Sequence, residues 1–335
     1  MDAPRLTVII EWENVLLSEV GRAKTMLRNL VTQIRELRAA PPGERDQASL
    51  PAARTAHPVE ILILYNSEVI DGHLVESIVT ALVPQSDPDF ELRIMPAPGL
   101  HYYELKTFGA RQAKGDLILF LDSDVIPQDG WLVSLAGSLA DPQIHVVGGD
   151  SCIDPQDLVG KTFSLFWFFD RPGTPGRLYK KQQFWANNVI FRKDTFLRFP
   201  FPVLKDGVNR GSCNELSYVL QDHGIQVYRN SSARVSHPAP NGFRHIVTRA
   251  VAEGRDRVFQ IYSDPRGLSR LESVRQLGTR MRSLRAIVDE RGKVGIKVWQ
   301  LPIALGIGAT YHLLQFYGEI MTRAYPEMMR RRFQI

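Results

Sequence analysis

Cysteine is nearly absent. Cys152 and Cys213 are the only two in 335 residues, far apart and without C-x-x-C spacing. That argues against both a disulfide framework and a thiolate zinc site. The opening "MDAPRLTVIIEWENV" lacks the basic, apolar and small-residue order of a signal peptide, so a cytoplasmic location is expected. No zinc-finger spacing, aromatic-basic motif or helix-turn-helix pattern is present, which disfavours nucleic acid as a partner. Internal repeats and low-complexity tracts are missing too. Long apolar runs are scarce, the one candidate being Val298–Gly318, 21 residues without a charge. About twenty apolar residues can span a bilayer. Pro302, His312 and two glutamines make this a poor span, though not an impossible one. Lys293 and Lys297 on one side, and Arg323 and Arg330–Arg332 on the other, give it no clear topology.

What is present describes a globular chain. A content of 44% hydrophobic and 23% charged residues excludes a disordered one. The length suits one large domain with an appendage, or two modest ones. Charge is unevenly spread: from Gly242 onward there are 17 Lys+Arg against 8 Asp+Glu, a net +9 within a chain of net +5. Such asymmetry points to a basic tail facing an anionic partner, and a membrane surface is the expectation.

Residues 6–10, "LTVII", form a short β-branched run typical of a buried strand. An amphipathic helix follows, with Met26, Leu27, Leu30, Ile34 and Leu37 on one face. Residues 40–58 read as a Pro/Ala-rich loop. "VEILILY", "FELRIMPAP" and "DLILFLDSD" supply three more strands, separated by helical stretches at "LVESIVTALV" and 103–113. This alternation predicts a largely parallel sheet covered on both faces, with ligands outside the carboxyl ends of its strands. Glu11, Glu13, Asn66, Glu68, Asp122 and Asp124 all fall at such ends. Beyond Pro127 the pattern becomes mixed: a strand at "HVVGG", the aromatic stretch "FSLFWFFD", and a strand running into a helix over 183–199. A helix ending at Gly224 precedes the strand "IQVYRNSSARVSH". From about Asn241 the chain reads as basic helix.

Asp122-Ser123-Asp124 carries the strongest chemistry. Taken alone, D-x-D is a surface turn as readily as a site. Two carboxylates held close repel unless a cation or proton intervenes. Mg²⁺ is typically held by one or two carboxylates plus substrate phosphates, and Mn²⁺ accepts the same ligands. A strand-end D-x-D therefore suits a metal–diphosphate.

"KTFGARQAKGDLILFLDSDVIP" resembles the K/N-x-x-G-x-x-x-A-x-G-D-x-x-x-x-x-D-x-D block of family 2 glycosyltransferases with the GT-A fold. Lys106, Gly109, Ala113, Gly115, Asp116, Asp122 and Asp124 match in register. "WANNVIFRKDTF" is similar to the acceptor-side segment, with Asn188 and Arg192 in place. "NELSYVLQDHGIQVYRNSSARVSHP" resembles the family's acidic helix, glycine, strand and terminal histidine, here His237. The likeness covers roughly residues 6–240. It implies a GT-A catalytic domain over about 1–240, a mixed sheet flanked by helices; the charge and pattern of 241–335 make that part a basic helical extension.

It also implies inverting sugar transfer from a nucleotide-diphosphate donor, UDP- or GDP-linked, to an acceptor hydroxyl with Mn²⁺ or Mg²⁺. The acceptor class (glycan, lipid-linked or small molecule) is not legible. Asp124 is the expected metal ligand, with Asp122 and His237 beside it. Lys106 and Arg111 are expected near the donor, and Trp185, Asn187 and Asn188 on the acceptor side. Three departures stand out. Glu11 replaces a proline at the end of the first strand. Asn66 and Glu68 replace paired aspartates after the second, as candidates for the base or ribose. "SCNE" replaces the usual Glu-Asp pair, so Glu215 is the candidate base, with Asp206 in reserve.

"LILFLDSDV" also fits the hhhhDxDx[TV] opening of haloacid-dehalogenase-like phosphatases. That motif normally sits on the first strand of its domain, whereas three strands precede it here, and no downstream Lys and paired Asp follow. Sugar-nucleotide pyrophosphorylases lack support because their Gly-rich, Arg-containing N-terminal loop is missing. A degenerate transferase serving as a membrane-bound binding module is the remaining alternative, motivated by the absent Glu-Asp pair.

Overall fold

The computed structural model describes residues 5–16, 20–39, 57–85, 87–170, 176, 178–203, 211–240, 242–263 and 271–332. Most of the loop expected at 40–58 lies outside them, as does Asp206. The chain divides into two compact units. One comprises Met1–Ser151, Gly173–Val203 and Ser212–His237; the other comprises Cys152–Pro172, Leu204–Gly211 and Pro238–Ile335.

The first unit begins with the expected alternation. β1 (Leu6–Glu11), α1 (Val20–Ala39), β2 (Val59–Tyr65), α2 (Gly72–Thr80), β3 (Phe90–Pro96), α3 (Tyr102–Gln112) and β4 (Leu117–Asp122) follow in turn. α2 starts two residues earlier than its apolar pattern suggests, because the Asp71 carboxylate accepts a hydrogen bond from the His73 N–H at 3.0 Å and caps it. After β4 come β5 (Ile126–Pro127), α4 (Trp131–Ser138), β6 (Val146–Ile153), α5 (Leu158–Phe166), β7 (Leu178–Lys180), β8 (Asn188–Arg192), α6 (Lys193–Arg198), α7 (Ser212–Asp222) and β9 (Val227–His237).

The sheet order is β3-β2-β1-β4-β8-β6-β9-β5, with β7 also paired to β9. β3, β2, β1 and β4 are mutually parallel, while β8 pairs antiparallel to both β4 and β6. It is a mixed sheet. Its parallel part explains the near-continuous apolar strands, since both faces are covered. On one face α1, α2 and α4 bury Met26, Leu30, Val79 and Trp131 against Val8, Ile61 and Leu119. On the other, α3, α6 and α7 bury Leu105, Phe196 and Leu216 against Ile9, Leu62 and Phe120.

Two motif glycines serve this packing. A Cβ on Gly109 would stand 2.8 Å from Ile9 Cγ2, and one on Gly115 would stand 2.7 Å from the Thr7 nitrogen. Without side chains there, α3 and the turn into β4 lie directly on β1 and β2.

The second unit is helical. α5 is joined by α8 (Gly242–Ser263), α9 (Leu271–Asp289), α10 (Leu301–Ala324) and α11 (Pro326–Arg332). The aromatic stretch enters its core: Phe163, Phe166 and Trp167 are buried with Tyr311, Ile287 and Ala304. The uncharged run 298–318 is not a span, because no helix among the described residues is long and apolar enough to cross a membrane. α10 instead buries one side within this unit, including the polar side chains Gln315, Glu319 and Thr322.

Candidate active site

The chain goes from β1 outward to β2 and β3, then returns to place β4 on the other side of β1. Open α/β sheets bind ligands at such a reversal, beyond the strands' carboxyl ends. The last residues of these two strands, Glu11 and Asp122, are direct neighbours in register. Both are buried. Two acids side by side need compensation, and α3 supplies most of it.

Lys106, fully buried, donates to Asp122 Oδ1, and its ammonium lies 3.9 Å from the centre of the Tyr102 ring. The Tyr102 hydroxyl donates to Asp122 Oδ2 at 2.8 Å. Asn14 Nδ2 bridges the two acids, donating to Glu11 Oε1 at 2.8 Å and Asp122 Oδ2 at 3.2 Å. The Glu13 N–H donates to Glu11 Oε2 at 2.9 Å. Burial first, and Asp122 second, still hold the Glu11 carboxyl well above the usual carboxylate range.

Asp124 differs. Its Oδ1 is buried and meets no hydrogen-bond partner among the described residues. Burial, then the charge of Asp122, raises its carboxyl to about 7. The Arg22 guanidinium opposes the rise, donating to the Asp124 carbonyl at 2.6 Å and to the Ser236 carbonyl at 2.5 Å and hydroxyl at 2.9 Å. Arg22 thus joins the D-S-D turn to the end of β9. His237 follows Ser236, whose backbone pairs with Ile126, and so stands across from the segment leaving Asp124.

The three expected metal ligands do not form a ready cage. Among the described residues no group of three or more His, Cys, Asp or Glu side chains could hold a metal ion. The reason is visible at Asp122, whose two oxygens are engaged by Lys106, Tyr102 and Asn14. An orphaned carboxylate oxygen beside a second acid does fit a cation completed by non-protein oxygens.

Other expected residues take structural positions. Glu13 holds the start of α3, accepting from the Tyr102 N–H at 2.9 Å and lying 3.2 Å from His101 Nδ1. Asn66 Oδ1 accepts from the Glu68 and Gly99 N–H groups, each at 3.0 Å, and ties two loops at the carboxyl edge. Glu68 is exposed. Arg111 is misplaced for a phosphate contact. It is exposed in the last turn of α3, nine residues beyond Tyr102 and therefore about 13 Å along the axis from the end that reaches Asp122.

Asn188 is not open to an acceptor. Fully buried, it accepts from Trp131 Nε1 at 2.7 Å and donates to the Asp150 and Ala233 carbonyls at 3.0 and 3.2 Å. It locks β8 to its neighbours. Asn187 Oδ1 accepts from the Ser151 hydroxyl at 2.9 Å. Trp185 is half-buried, with the Arg229 guanidinium 5.8 Å from its ring centre.

Glu215 is exposed in the first turn of α7. The start of α7 lies at the site end of α3: the Tyr103 hydroxyl is 3.5 Å from Cys213 Sγ, and Tyr103 packs edge-on to Tyr102 at 4.7 Å. Cys213 faces inward and Glu215, about 200° further round the helix, faces out. No hydrogen bond or ion pair among the described residues holds it.

Sequence reasoning passed over Arg22 and Tyr102. Tyr102 stands four residues before Lys106, on the same helix face, a spacing that signals a shared target. Nothing local marks Arg22, which acts on residues 102 and 214 positions away.

Residues 61–205 match the family described as Glycosyl transferase family 2. No curated protein matches the chain in sequence. Among solved structures, a mannosyltransferase from Pyrobaculum calidifontis, described in complex with GDP-Man and Mn²⁺, superposes with a TM-score of 0.53 at 15% identity, covering 97% of this chain and 88% of that one. A structure described as GalNAc-T7 with UDP, GalNAc and Mn²⁺ gives a TM-score of 0.47 at 13% identity, over 84% of this chain and 54% of that one. Over residues 61–205 the chain is similar to the family 2 glycosyl transferases, and its fold is of the GT-A type.

Proposed function

We propose that the protein transfers a sugar from a nucleotide-diphosphate donor, UDP- or GDP-linked, to an acceptor hydroxyl, with inversion and with Mn²⁺ or Mg²⁺. The observation that carries this reading is the buried Oδ1 of Asp124, without a hydrogen-bond partner among the described residues, beside Asp122 at the point where the strand order reverses. The solved mannosyltransferase described with GDP-Man and Mn²⁺ supports both the donor class and a divalent cation.

Asp124 would hold the metal, with donor phosphate oxygens filling the remaining positions and His237 the nearest further candidate. Bound there, the cation acts as a Lewis acid for the charge that gathers on the departing diphosphate. Asp122, fixed by Lys106 and Tyr102, orients the ribose side. Glu215 takes the acceptor's proton as the new glycosidic bond forms, and the bond from the anomeric carbon to the diphosphate oxygen breaks on the opposite face. The basic C-terminal region keeps the protein at the anionic cytoplasmic face of a membrane.

Calorimetry with UDP and GDP, with and without Mn²⁺, followed by a donor-hydrolysis assay, tests the proposal. Binding and turnover are expected only with the metal, and Asp124→Ala is expected to lose both while keeping its circular dichroism spectrum. Metal-independent turnover, or full activity in Asp124→Ala, would overturn it.

A further inference from the structure

α10 carries apolar side chains on its outer as well as its inner side, and the second unit uses only the inner one. Ala304, Gly308, Tyr311, Gln315, Gly318 and Thr322 form its buried face. Half a turn away, Ile303 is 53% exposed, Leu313 67%, Phe316 48%, Tyr317 52% and Ile320 47%. Trp299, just before the helix, is 68% exposed at the same angular position. The Arg280 guanidinium lies 5.7 Å from the Phe316 ring centre, and the exposed Leu277 and Met281 of α9 flank that arginine. A contiguous apolar face of this kind marks an interaction surface.

We infer that this face lies flat in the headgroup–acyl boundary of an anionic lipid leaflet, with α10 in the plane of the membrane. The inference rests on the reading that the C-terminal region meets an anionic surface, and it names the side chains that enter. Length alone would allow crossing, since 24 residues of helix reach about 36 Å. The inner side forbids it. A Cβ on Gly254 would stand 2.9 Å from the Glu319 nitrogen, and one on Gly318 would stand 3.0 Å from the Val251 carbonyl carbon, so α8 and α10 meet backbone to backbone. Gln315 donates to Glu253, and Arg280 donates to Glu319 at 2.5 Å. Lipid surrounding α10 would strip these polar groups, whereas lipid on the outer face strips none.

Charge selects the occupant. Lys293 and Lys297 precede the helix, and Arg323 and Arg331 stand at and beyond its last turn, all exposed. With a net +9 from Gly242 onward, a second copy presenting the same face meets like charge, while an anionic leaflet meets its complement.

The test is co-flotation of the full chain with vesicles of phosphatidylcholine alone and of equimolar phosphatidylcholine and phosphatidylglycerol, at low and high salt. Binding to the anionic vesicles, weakened by salt, is expected. Leu313→Glu with Phe316→Glu should lower that partitioning about tenfold or more, because two anchors leave the acyl boundary. Leu277→Ser with Met281→Ser, a milder pair, should lower it severalfold and guards against misfolding of the first variant.

Donor hydrolysis, measured on the same proteins without vesicles, should match wild type. Its absence in wild type would strike the sugar-transfer reading and leave this one standing. Wild-type protein that ignores anionic vesicles at low salt, or variants that float as well as wild type, would overturn the in-plane surface. So would sedimentation showing a stable dimer that the Glu variants dissociate, since a second copy would then cover the face.

Discussion

Lys106 and Asp122 form a fully buried ion pair sixteen residues apart, joining the first turns of α3 to the end of β4. The pair lies inside a set of acids that also includes Glu11 and Asp124. Its ammonium is the buried counter-charge among these carboxyls, and Tyr102 and Asn14 add hydrogen bonds to Asp122.

Removing the cation alone should be costly. Lys106→Met leaves Asp122 and Glu11 buried without it, and a loss of about 3–5 kcal/mol is expected in denaturant unfolding. Adding Asp122→Asn should recover part of that loss, because it removes the carboxylate that Lys106 had paired. A double variant no more stable than Lys106→Met would show that the pair does not control stability here.

Asp124 sets a pH dependence with a definite sign. Its carboxyl is raised from 3.8 to about 7 in the folded protein. Between those values the folded state binds the extra proton. The contribution of Asp124 to stability without metal is therefore complete below about 4 and is lost as pH rises through about 7. The difference amounts to on the order of 4 kcal/mol. Mn²⁺ would take the proton's place, so it should raise the melting temperature more at about pH 8 than at about pH 5. Thermal melts at both pH values, with and without Mn²⁺, check this; equal shifts would disprove it.

Glu215→Gln keeps size and polarity but cannot accept a proton. Donor affinity by calorimetry should be unchanged, while transfer to an acceptor slows by about 10²–10⁴-fold. A rate equal to wild type would assign proton removal to another group.

Asn188→Ala should behave as a folding variant. It strands the Trp131 indole N–H and removes two bonds to carbonyls, for a loss of roughly 2–4 kcal/mol. Unfolding followed by tryptophan fluorescence measures it. Donor affinity per folded molecule should not change, and a selective loss of affinity at full stability would return Asn188 to the acceptor side.

Local patterns in the chain already specify much of this protein. The β-branched runs of β1, β2 and β4, the apolar stripe of α1 and the D-S-D turn follow from side-chain period and turn chemistry, which act between near neighbours. The motif from Lys106 to Asp124 also places its aspartates at a strand end. Tertiary structure decided what each group does there. Asp122 and Asp124 are two residues apart, yet α3 satisfies the first while the second keeps an orphaned oxygen. Arg22 reaches the turn across more than a hundred residues, and Asn188 became a lock because three elements converge on it. Charge compensation and burial are properties of the assembled neighbourhood. For the same reason the uncharged stretch at 298–318 looked like a possible span, until α8 was found packed along one side of it.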